Sequence, residues 1–404
     1  MGETSLQKSL ELRELELNSL LEVTQAINNN ISEESLYKIY GFTLRANLQI
    51  KSLALFVYDN IWECKVNYGT KLDCFNQKLP EGFQNLSDLY LIKPEDGPFS
   101  EFEYAIPILH KSQLLALVFV SGAHIEHRKG NNATRFIQAI SNIIIVAIEN
   151  KKLARKQLQQ EAIRKELEIA SDVQQFLFPE TLPYGIRLKI EASYLPHDRV
   201  GGDYYDYIPI NKEQFLICIA DVSGKGVPAA IMMSNFQASL RTLIRQTPNL
   251  TEIIRELNFL VLDNAKGEKF ITFFVAIYDH TLKTMVYINA GHNPPILVKN
   301  DNEILLLEDG STVLGAIHPL PFVDEGFITD LEDFMLFCYT DGLTETVNEK
   351  DEEFGSDRLI DYFKNNGFKD LQEIHQDVII QLDEFKGRNS YRDDITILSC
   401  RVNP

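Results

Sequence analysis

The sequence predicts a mixed fold of the α/β (α+β) class, in which two globular regions are joined by a helix. With 404 residues, of which 45% are hydrophobic, the chain is long enough for two or three domains. Between Lys151 and Leu177 it contains neither Gly nor Pro and is rich in Gln, Lys, Arg and Glu, which is typical of a long helix. Short apolar runs alternate with helical patterns on either side, so each flanking region is predicted to form a sheet with helices.

The N-terminal part predicts an amphipathic helix over residues 1–30 and a sensor-like domain over residues 31–150. Apolar residues recur at helical spacing among glutamates in the first segment: Leu6, Leu10, Leu17, Leu20 and Ile27. Ser52–Asp59 (SLALFVYD) predicts a buried strand, YAIPIL and Leu114–Val120 predict a hairpin, and Thr134–Leu153 predicts a closing helix. This order of helix, antiparallel sheet and helix indicates an α+β domain.

Residues 151–178 predict a coiled-coil linker helix that ends before Pro179 and Pro183. Its apolar positions form a face that is too narrow for a core helix: Leu153, Leu158, Ile163, Leu167 and Ala170. A two-stranded coiled coil, and therefore a homodimer, fits this pattern, and a solvated spacer helix is the alternative.

Residues 179–404 predict a layered α/β domain of about 220 residues. Its β-rich runs are FLICIADV, FITFFVAIYD, MVYINAG and DFMLFCYTDG. Helical stretches at Ala229–Leu243 and Leu371–Leu382 divide these runs. No internal repeat or low-complexity segment interrupts the pattern.

Composition and charge exclude several classes of function. The chain has 58 acidic and 39 basic residues, a formal net charge of −19, which argues against a nucleic-acid-binding surface, although solubility alone also favours an acidic excess. No run approaches the roughly 18 apolar residues of a membrane span, and the N-terminus lacks a signal-peptide core, so we expect a cytoplasmic protein. The cysteines contain no CxxC pair and predict neither a zinc site nor a disulfide framework: Cys64, Cys74, Cys218, Cys338 and Cys400.

Aspartates in the C-terminal domain share one local context, because each is predicted to lie at the end of a hydrophobic strand, and all but Asp221 stand beside Gly, Thr or another Asp. They are Asp203, Asp221, Asp341, Asp393 and Asp394. A buried sheet does not leave carboxylates at strand ends without cations or hydrogen-bond donors. Oxygen ligands without His or Cys suit the hard ions Mg²⁺ or Mn²⁺, and two such ions about 3.5–4 Å apart can activate a water and hold a phosphoryl group.

Other interpretations of these motifs are weaker. A single Asp beside Gly is usually a turn residue, so only the whole set of acids indicates a metal site. The stretch GGDYYDY differs from a nucleotide-cyclase signature, which needs a second acid directly after the first. His124 and His127 have metal-like spacing but no acid or Cys partner, and we expect them in a solvated loop. His292 and Asn293 lie in a Gly-His-Asn-Pro turn, where a histidine is more often structural than catalytic.

Seven motifs, in order across residues 168–398, resemble those of the bacterial SpoIIE/RsbU-like branch of the metal-dependent protein phosphatase (PPM) family. They are EIASDVQQFLFP (Glu168–Pro179), VGGDYYD (Val200–Asp206), IADVSGKGVPAA (Ile219–Ala230), NAGHNPPIL (Asn289–Leu297), YTDGLTE (Tyr339–Glu345), FGSDRL (Phe354–Leu359) and RDDITIL (Arg392–Leu398). The resemblance implies a PPM-type β-sandwich of two antiparallel sheets flanked by helices, with two Mn²⁺ or Mg²⁺ ions at one edge. It further implies that Asp203 and Asp221 ligate both ions with help from the Val222 carbonyl, and that Asp341 and Asp393 complete the catalytic metal site.

Supporting roles are implied for a further set of residues: Gly202, Gly224, Gly226, His292, Asn293 and Asp394. We expect Gly224 and Gly226 to let the backbone approach the metal edge and to precede a helix with Pro228 in its first turn. Eukaryotic members of the family have a histidine that can act as a general acid, at the position where this chain has the segment VSGKG. Their phosphate-gripping arginine has no clear counterpart here, although Arg199 is a candidate, so the substrate-binding residues stay unknown.

The N-terminal half resembles a GAF domain through YAIPIL, LLALVFV and AIENKKL, with Gln113-Leu114-Leu115 in place of the glycine that often precedes the last strand. No ligand of this domain follows from the sequence. The two resemblances imply a phosphoserine/phosphothreonine protein phosphatase in bacterial signalling, regulated by the GAF-like sensor, with a phosphorylated anti-sigma-factor antagonist as substrate. The alternatives are a non-catalytic docking module with a degenerate phosphatase fold and a small-molecule phosphatase.

Overall fold

The computed structural model describes residues 2–48, 50–110, 113–122, 132–299 and 303–404, with side chains from residue 13 onward. The chain divides into two compact units, Met1–Glu161 and Ala162–Pro404, so that the predicted linker is shared between them. His124 and His127, and the side chains of Leu6 and Leu10, lie outside the described residues.

The N-terminal unit is built on an antiparallel sheet with the strand order β2-β1-β5-β4-β3. The strands are β1 (Ser52–Asp59), β2 (Ile61–Tyr68), β3 (Tyr90–Leu91), β4 (Tyr104–His110) and β5 (Gln113–Ser121). The helices are α1 (Gly2–Asn28), α2 (Glu33–Leu48) and the beginning of α3 (Asn132–Gln175), and 3₁₀ turns lie at Cys74–Asn76, Glu81–Phe83 and Pro94–Glu101. The predicted opening helix, the strand Ser52–Asp59 and the hairpin that follows it along the chain are therefore confirmed.

Both faces of β1 are buried, which explains its continuous apolar sequence. Leu53, Leu55 and Val57 pack with the helices. Ala54 and Phe56 point to the opposite face, as the two-residue period of a strand requires, and pack in an aromatic cluster. The other rings of this cluster belong to Phe83, Phe99, Phe102 and Phe119, all buried.

The predicted closing helix and the predicted linker form one uninterrupted helix, α3. Neither Gly nor Pro occurs between its first and last residues, so nothing in the sequence ends the first helix before the second begins. Of the predicted linker face, Leu153, Leu158 and Ile163 are exposed, whereas Leu167 and Ala170 are half-buried. None of the helices in the described ranges combines the length and the apolar character needed to cross a bilayer.

Two sheets form the centre of the C-terminal unit. The first has the order β13-β10-β9-β8-β7 with β14 also on β10, and the second has the order β12-β11-β15-β16-β6. All pairings are antiparallel except that of β10 with β13. The strands are β6 (Leu188–Leu195), β7 (Tyr204–Pro209), β8 (Gln214–Val222), β9 (Ile271–Asp279), β10 (Thr284–Ala290), β11 (Ile296–Lys299), β12 (Ile304–Leu306), β13 (Gly310–Ser311), β14 (Gly326–Ile328), β15 (Phe334–Tyr339) and β16 (Ile395–Val402).

Helices cover the outer faces of this sandwich. They are α4 (Val227–Gln246), α5 (Leu250–Ala265), α6 (Asp341–Thr344), α7 (Ser356–Asn366) and α8 (Leu371–Lys386). The predicted helical stretches lie within α4 and α8, whereas α2, α5 and α7 were not predicted. The predicted sandwich flanked by helices is confirmed.

Alternation along β8 shows how the layers form. Leu216, Cys218 and Ala220 pack under α4 and α5, while Phe215 and Ile217 face the second sheet. The outer face of the second sheet packs in turn against α7 and α8. Burying an aliphatic or aromatic side chain of this size contributes about 1.5–3 kcal/mol, so the three apolar layers hold the strand ends in fixed positions.

His375 of α8 connects two strands of the second sheet. Its Nδ1 lies 2.8 Å from the Ser193 hydroxyl on β6, and its Nε2 lies 2.8 Å from the Ser399 hydroxyl on β16. Burial lowers the pKa of His375 from 6.5 to about 4, so the imidazole is neutral near pH 7. The unfolded chain binds the proton more strongly than the folded chain, and stability is lost as the pH falls from about 6.5 towards 4.

The substitution His375→Gln should therefore make the free energy of unfolding around β6 and β16 depend less on pH. Between pH 7 and pH 5 the histidine should account for about 2 kcal/mol of the loss in the free energy of unfolding. Hydrogen exchange of the β6 and β16 amides at both pH values measures this quantity. The exposed His318→Gln variant is the matched control, and equal pH dependence in the two variants would contradict the assignment.

Candidate active site

A buried carboxylate joins the two sheets at one edge. Asp203 directly precedes β7 of the first sheet and is 1% exposed. Its Oδ2 accepts hydrogen bonds from the hydroxyls of Thr340 at 2.9 Å and Thr396 at 2.5 Å. Thr340 follows β15 and Thr396 lies in β16, so both donors come from the second sheet. The backbone N–H of Thr396 also donates to the Thr340 hydroxyl at 2.9 Å, which fixes the two threonines relative to each other.

Asp221 and the carbonyl of Val222 lie beside Asp203 at the end of β8. The carboxyl groups of Asp203 and Asp221 are close enough for each to shift the pKa of the other. A Cβ on Gly202 would lie 2.8 Å from the Val222 carbonyl oxygen, a distance that only glycine at this position avoids. The predicted residues of the VGGD and ADV motifs therefore meet in space.

Asp341 and Asp393 approach the same edge from the second sheet. Asp341 is the first residue of α6, which follows β15, and Asp393 lies two residues before β16. The Lys225 ammonium forms an ion pair with the Asp393 Oδ2 at 2.9 Å and also donates to the Arg392 carbonyl. The lysine of the VSGKG motif is thus held next to the acids.

Asp394 has a different environment from Asp393, although the two are neighbours in sequence. Its Oδ1 accepts from the backbone N–H of His197 at 2.8 Å, and its Oδ2 accepts from that of Gly202 at 3.0 Å. Both oxygens are therefore used to hold the segment before Asp203. This arrangement agrees with a supporting position for Asp394 and leaves Asp393 as the acid at the cluster.

The acids raise one another's pKa. Burial and the neighbouring Asp221 raise the pKa of Asp203 well above its ordinary value, and burial and Asp341 raise the pKa of Asp221 to about 7. Burial and Asp393 likewise raise the pKa of Asp341. In the described part of the chain, no three His, Cys, Asp or Glu side chains are grouped closely enough to hold an ion by themselves. The donors nevertheless fit hard divalent ions, because oxygen ligands of like charge and a backbone carbonyl share one edge.

His292 and Asn293 brace this edge from the side. The His292 Nδ1 lies 2.8 Å from the hydroxyl of Thr272, which is paired with Asp221 across β8 and β9. Asn293 donates to the Thr344 hydroxyl in α6 at 3.1 Å. Burial lowers the pKa of His292 to about 4, so the ring is neutral near pH 7 and supports the structural interpretation of this turn.

The glycines of the VSGKG segment have left-handed backbone conformations. The φ angle is +92° at Gly224 and +70° at Gly226, and Gly226 caps α4, which has Pro228 in its first turn as expected. The cap itself has no side chain to donate or accept. The segment can therefore turn from β8 into α4 within a few residues, directly beside the acids.

Arg199, the candidate phosphate ligand, is engaged elsewhere. Its Nη1 lies 2.5 Å from the Glu168 Oε1 on α3. On the same helix the Gln174 side-chain amide donates to the Gly201 carbonyl at 2.8 Å and accepts from the Gly201 N–H at 3.2 Å. Gln174, Thr340 and Thr396 were not among the residues predicted for the site. Their signal was present, because both threonines stand inside acid motifs, YTDG and DDIT, and the glutamine stands in EIASDVQQFLFP.

Comparison with known proteins identifies the family. The family model described as stage II sporulation protein E (SpoIIE) matches residues 211–403. The chain is 31% identical over 246 residues to the phosphoserine phosphatase RsbU of Bacillus subtilis, an alignment that covers 60% of this chain and 71% of RsbU. The chain belongs to the SpoIIE/RsbU-like PPM phosphatase family. It is therefore a protein-serine/threonine phosphatase by family, and phosphatases of this SpoIIE-like family depend on metal ions.

Two further relatives agree with this assignment. The phosphoserine phosphatase RsbP of Bacillus subtilis is 24% identical over 235 residues, which cover 57% of this chain and 56% of RsbP. The SiaA-PP2C domain of Pseudomonas aeruginosa has the same fold, with a TM-score of 0.54 and 24% identity over 61% of this chain and 99% of that domain. The GAF-like character of the N-terminal unit stays a prediction.

The acid cluster predicts how single Asp-to-Asn changes behave. Asp221→Asn and Asp341→Asn should each abolish Mn²⁺ binding, because each change removes one of the carboxylates that are predicted to ligate the ions. The unfolding temperature without metal should stay equal or rise, because one of several repelling carboxylates is neutralised. Calorimetric Mn²⁺ titration and thermal unfolding measure the two effects, with the exposed Asp263→Asn variant as control. Wild-type Mn²⁺ affinity in either variant would remove that acid from the site.

Proposed function

We propose that this phosphatase hydrolyses phosphoserine or phosphothreonine in a bacterial signalling protein, with two Mn²⁺ or Mg²⁺ ions bound at the acid cluster. The ligands would be the carboxylates of Asp203, Asp221, Asp341 and Asp393 with the Val222 carbonyl. The observation that carries the proposal is the meeting of these acids from four separate chain segments at one edge of the sandwich. The family assignment supports the reaction class.

Bound divalent ions supply an activated water and charge neutralisation for the phosphoryl group. The protein residues supply position. Thr340 and Thr396 hold the carboxylate of Asp203 in one orientation, and Asp394 holds the backbone in front of it. Lys225 lies on the flank of the cluster beside Asp393 and is the cation that we propose to face a phosphate oxygen. His292 is buried and neutral and contributes no proton in this proposal.

For the substrate we propose a phosphorylated anti-sigma-factor antagonist in the cytoplasm. The similarity to RsbU, a phosphoserine phosphatase, supports a phosphoprotein substrate over a sugar phosphate. Against the alternative of a non-catalytic docking module, every acid that the family motifs require is present in the chain.

For regulation we propose that the N-terminal unit is a GAF-like sensor that acts through α3. The strand order β2-β1-β5-β4-β3 supports this kind of domain. Glu168 and Gln174 on α3 hold Arg199 and Gly201, four and two residues before Asp203, so a rotation of the helix would move the loop that carries this acid. Exposed apolar residues along α3 support a homodimer through this helix: Leu153, Leu158, Ile163, Ile169 and Val173.

A phosphatase assay on protein from which a chelator has removed bound metal tests the proposed function. Re-addition of Mn²⁺ or Mg²⁺ should restore cleavage of p-nitrophenyl phosphate and of a phosphoserine peptide, with glucose 6-phosphate cleaved at least a hundredfold more slowly. Asp341→Asn should stay at background, because the metal site loses a ligand. Absence of hydrolysis with both ions would favour the docking module, and preference for the sugar phosphate would favour a small-molecule phosphatase.

The contact between α3 and Gly201 can be tested separately. Gln174→Ala removes both hydrogen bonds to Gly201 and should lower kcat/KM about 10–100-fold, as loss of a group that orients metal ligands typically does. Gln175→Ala, the exposed neighbour on the same helix, is the matched control and should keep the wild-type rate. Steady-state kinetics at several Mn²⁺ concentrations measures both. Equal rates in the two variants would show that the helix does not act through this loop.

A further inference from the structure

A groove lies in the N-terminal unit between α2 and the edge strand β2. Its volume is about 430 Å³, within the range of roughly 300–1,000 Å³ typical of small-molecule sites. Gly41 of α2 lies over Val66 of β2, and a Cβ on Gly41 would stand 3.4 Å from the Val66 side chain. The small residue keeps the floor of the groove open where a larger one would fill it.

Aromatic rings stand exposed along this groove. The side chains of Phe42, Phe75 and Tyr68 are 72%, 60% and 37% exposed. Contiguous exposed apolar surface on a folded domain commonly marks a binding site. The opposite face of the sheet is packed with the phenylalanine cluster around Phe56 and Phe119, so those rings are not exposed as the rings of the groove are.

The charge of the groove is positive in a chain whose formal net charge is −19. Arg45 stands 4.5 Å over the ring of Tyr68 and, within the described ranges, has no carboxylate partner closer than 4.0 Å. Lys38 at the other end is paired with Glu34 at 2.6 Å. One uncompensated guanidinium therefore remains beside the exposed rings, and its planar donors suit a carboxylate or phosphate group.

We propose that this groove binds a small planar aromatic anion. The rings of Phe42 and Phe75 stack on its flat face, and Arg45 pairs with its anionic group. The inference supplies a ligand class for the sensor unit proposed above. It is tested by binding alone, so its failure would leave the phosphatase assignment untouched.

A pair of fluorescent probes tests the two recognition elements, the aromatic rings and Arg45, in the full-length chain. 8-Anilinonaphthalene-1-sulfonate has aromatic rings, an anilino N–H and an anionic sulfonate, and N-phenyl-1-naphthylamine is the same molecule without the sulfonate. We expect the sulfonate to bind with one site per chain. Arg45→Gln should weaken it about tenfold and change the uncharged probe less than twofold, because only the ion pair is lost. Phe42→Ala should weaken both probes, because both use the ring.

Arg155→Gln and Phe368→Ala are the matched controls, since both residues are exposed and lie outside the groove. Neither should alter the affinity for either probe. Unchanged sulfonate binding in both Arg45→Gln and Phe42→Ala overturns the proposal. It is also overturned if the wild-type chain forms dimers in sedimentation that Phe42→Ala abolishes, because a second copy would then cover the groove.

Discussion

The C-terminal unit depends on the burial of one carboxyl group, that of Asp203. A buried acid is costly unless donors or cations surround it, and here the hydroxyls of Thr340 and Thr396 reach it from the opposite sheet. Asp341 follows the first threonine directly, and Asp393 lies three residues before the second. The contacts that satisfy Asp203 therefore also place the other acids. A slip of either sheet would leave the carboxyl group unsatisfied and would disperse the cluster.

Much of this unit could be read from local sequence because its chemistry lies at strand ends. A run such as FLICIADV predicts both a buried strand and the acid near its end, and glycines indicate the turns. The residues that hold the acids were harder to find. Thr396 is separated from Asp203 by 193 residues, and Gln174 from Gly201 by 27, so no short-range pattern relates them. Their roles follow only from the pairing of the sheets.

The N-terminal unit was less predictable for a different reason. Its strand β1 is covered on both faces, and the continuous run SLALFVYD revealed the strand. The rings that cover one of those faces come from irregular segments around Phe83, Phe99 and Phe102, where apolar residues have no period to detect. The sequence also did not reveal that the closing helix and the linker form one helix. A change from apolar to charged residues does not end a helix that lacks Gly and Pro.

Glycines near the acids have an evolutionary consequence. A Cβ on Gly201 would collide with the Asp394 carboxylate, one on Gly202 would press on the Val222 carbonyl, and one on Gly342 would collide with the Asp394 backbone. The acids are thus spaced by direct approach of backbone to backbone and of backbone to carboxylate. The atoms that a Cβ at these glycines would meet first belong to backbone or polar groups and not to apolar side chains of the strands. We therefore expect the apolar positions of the sheets to accept many substitutions during evolution. Gly201, Gly202 and Gly342 should accept almost none.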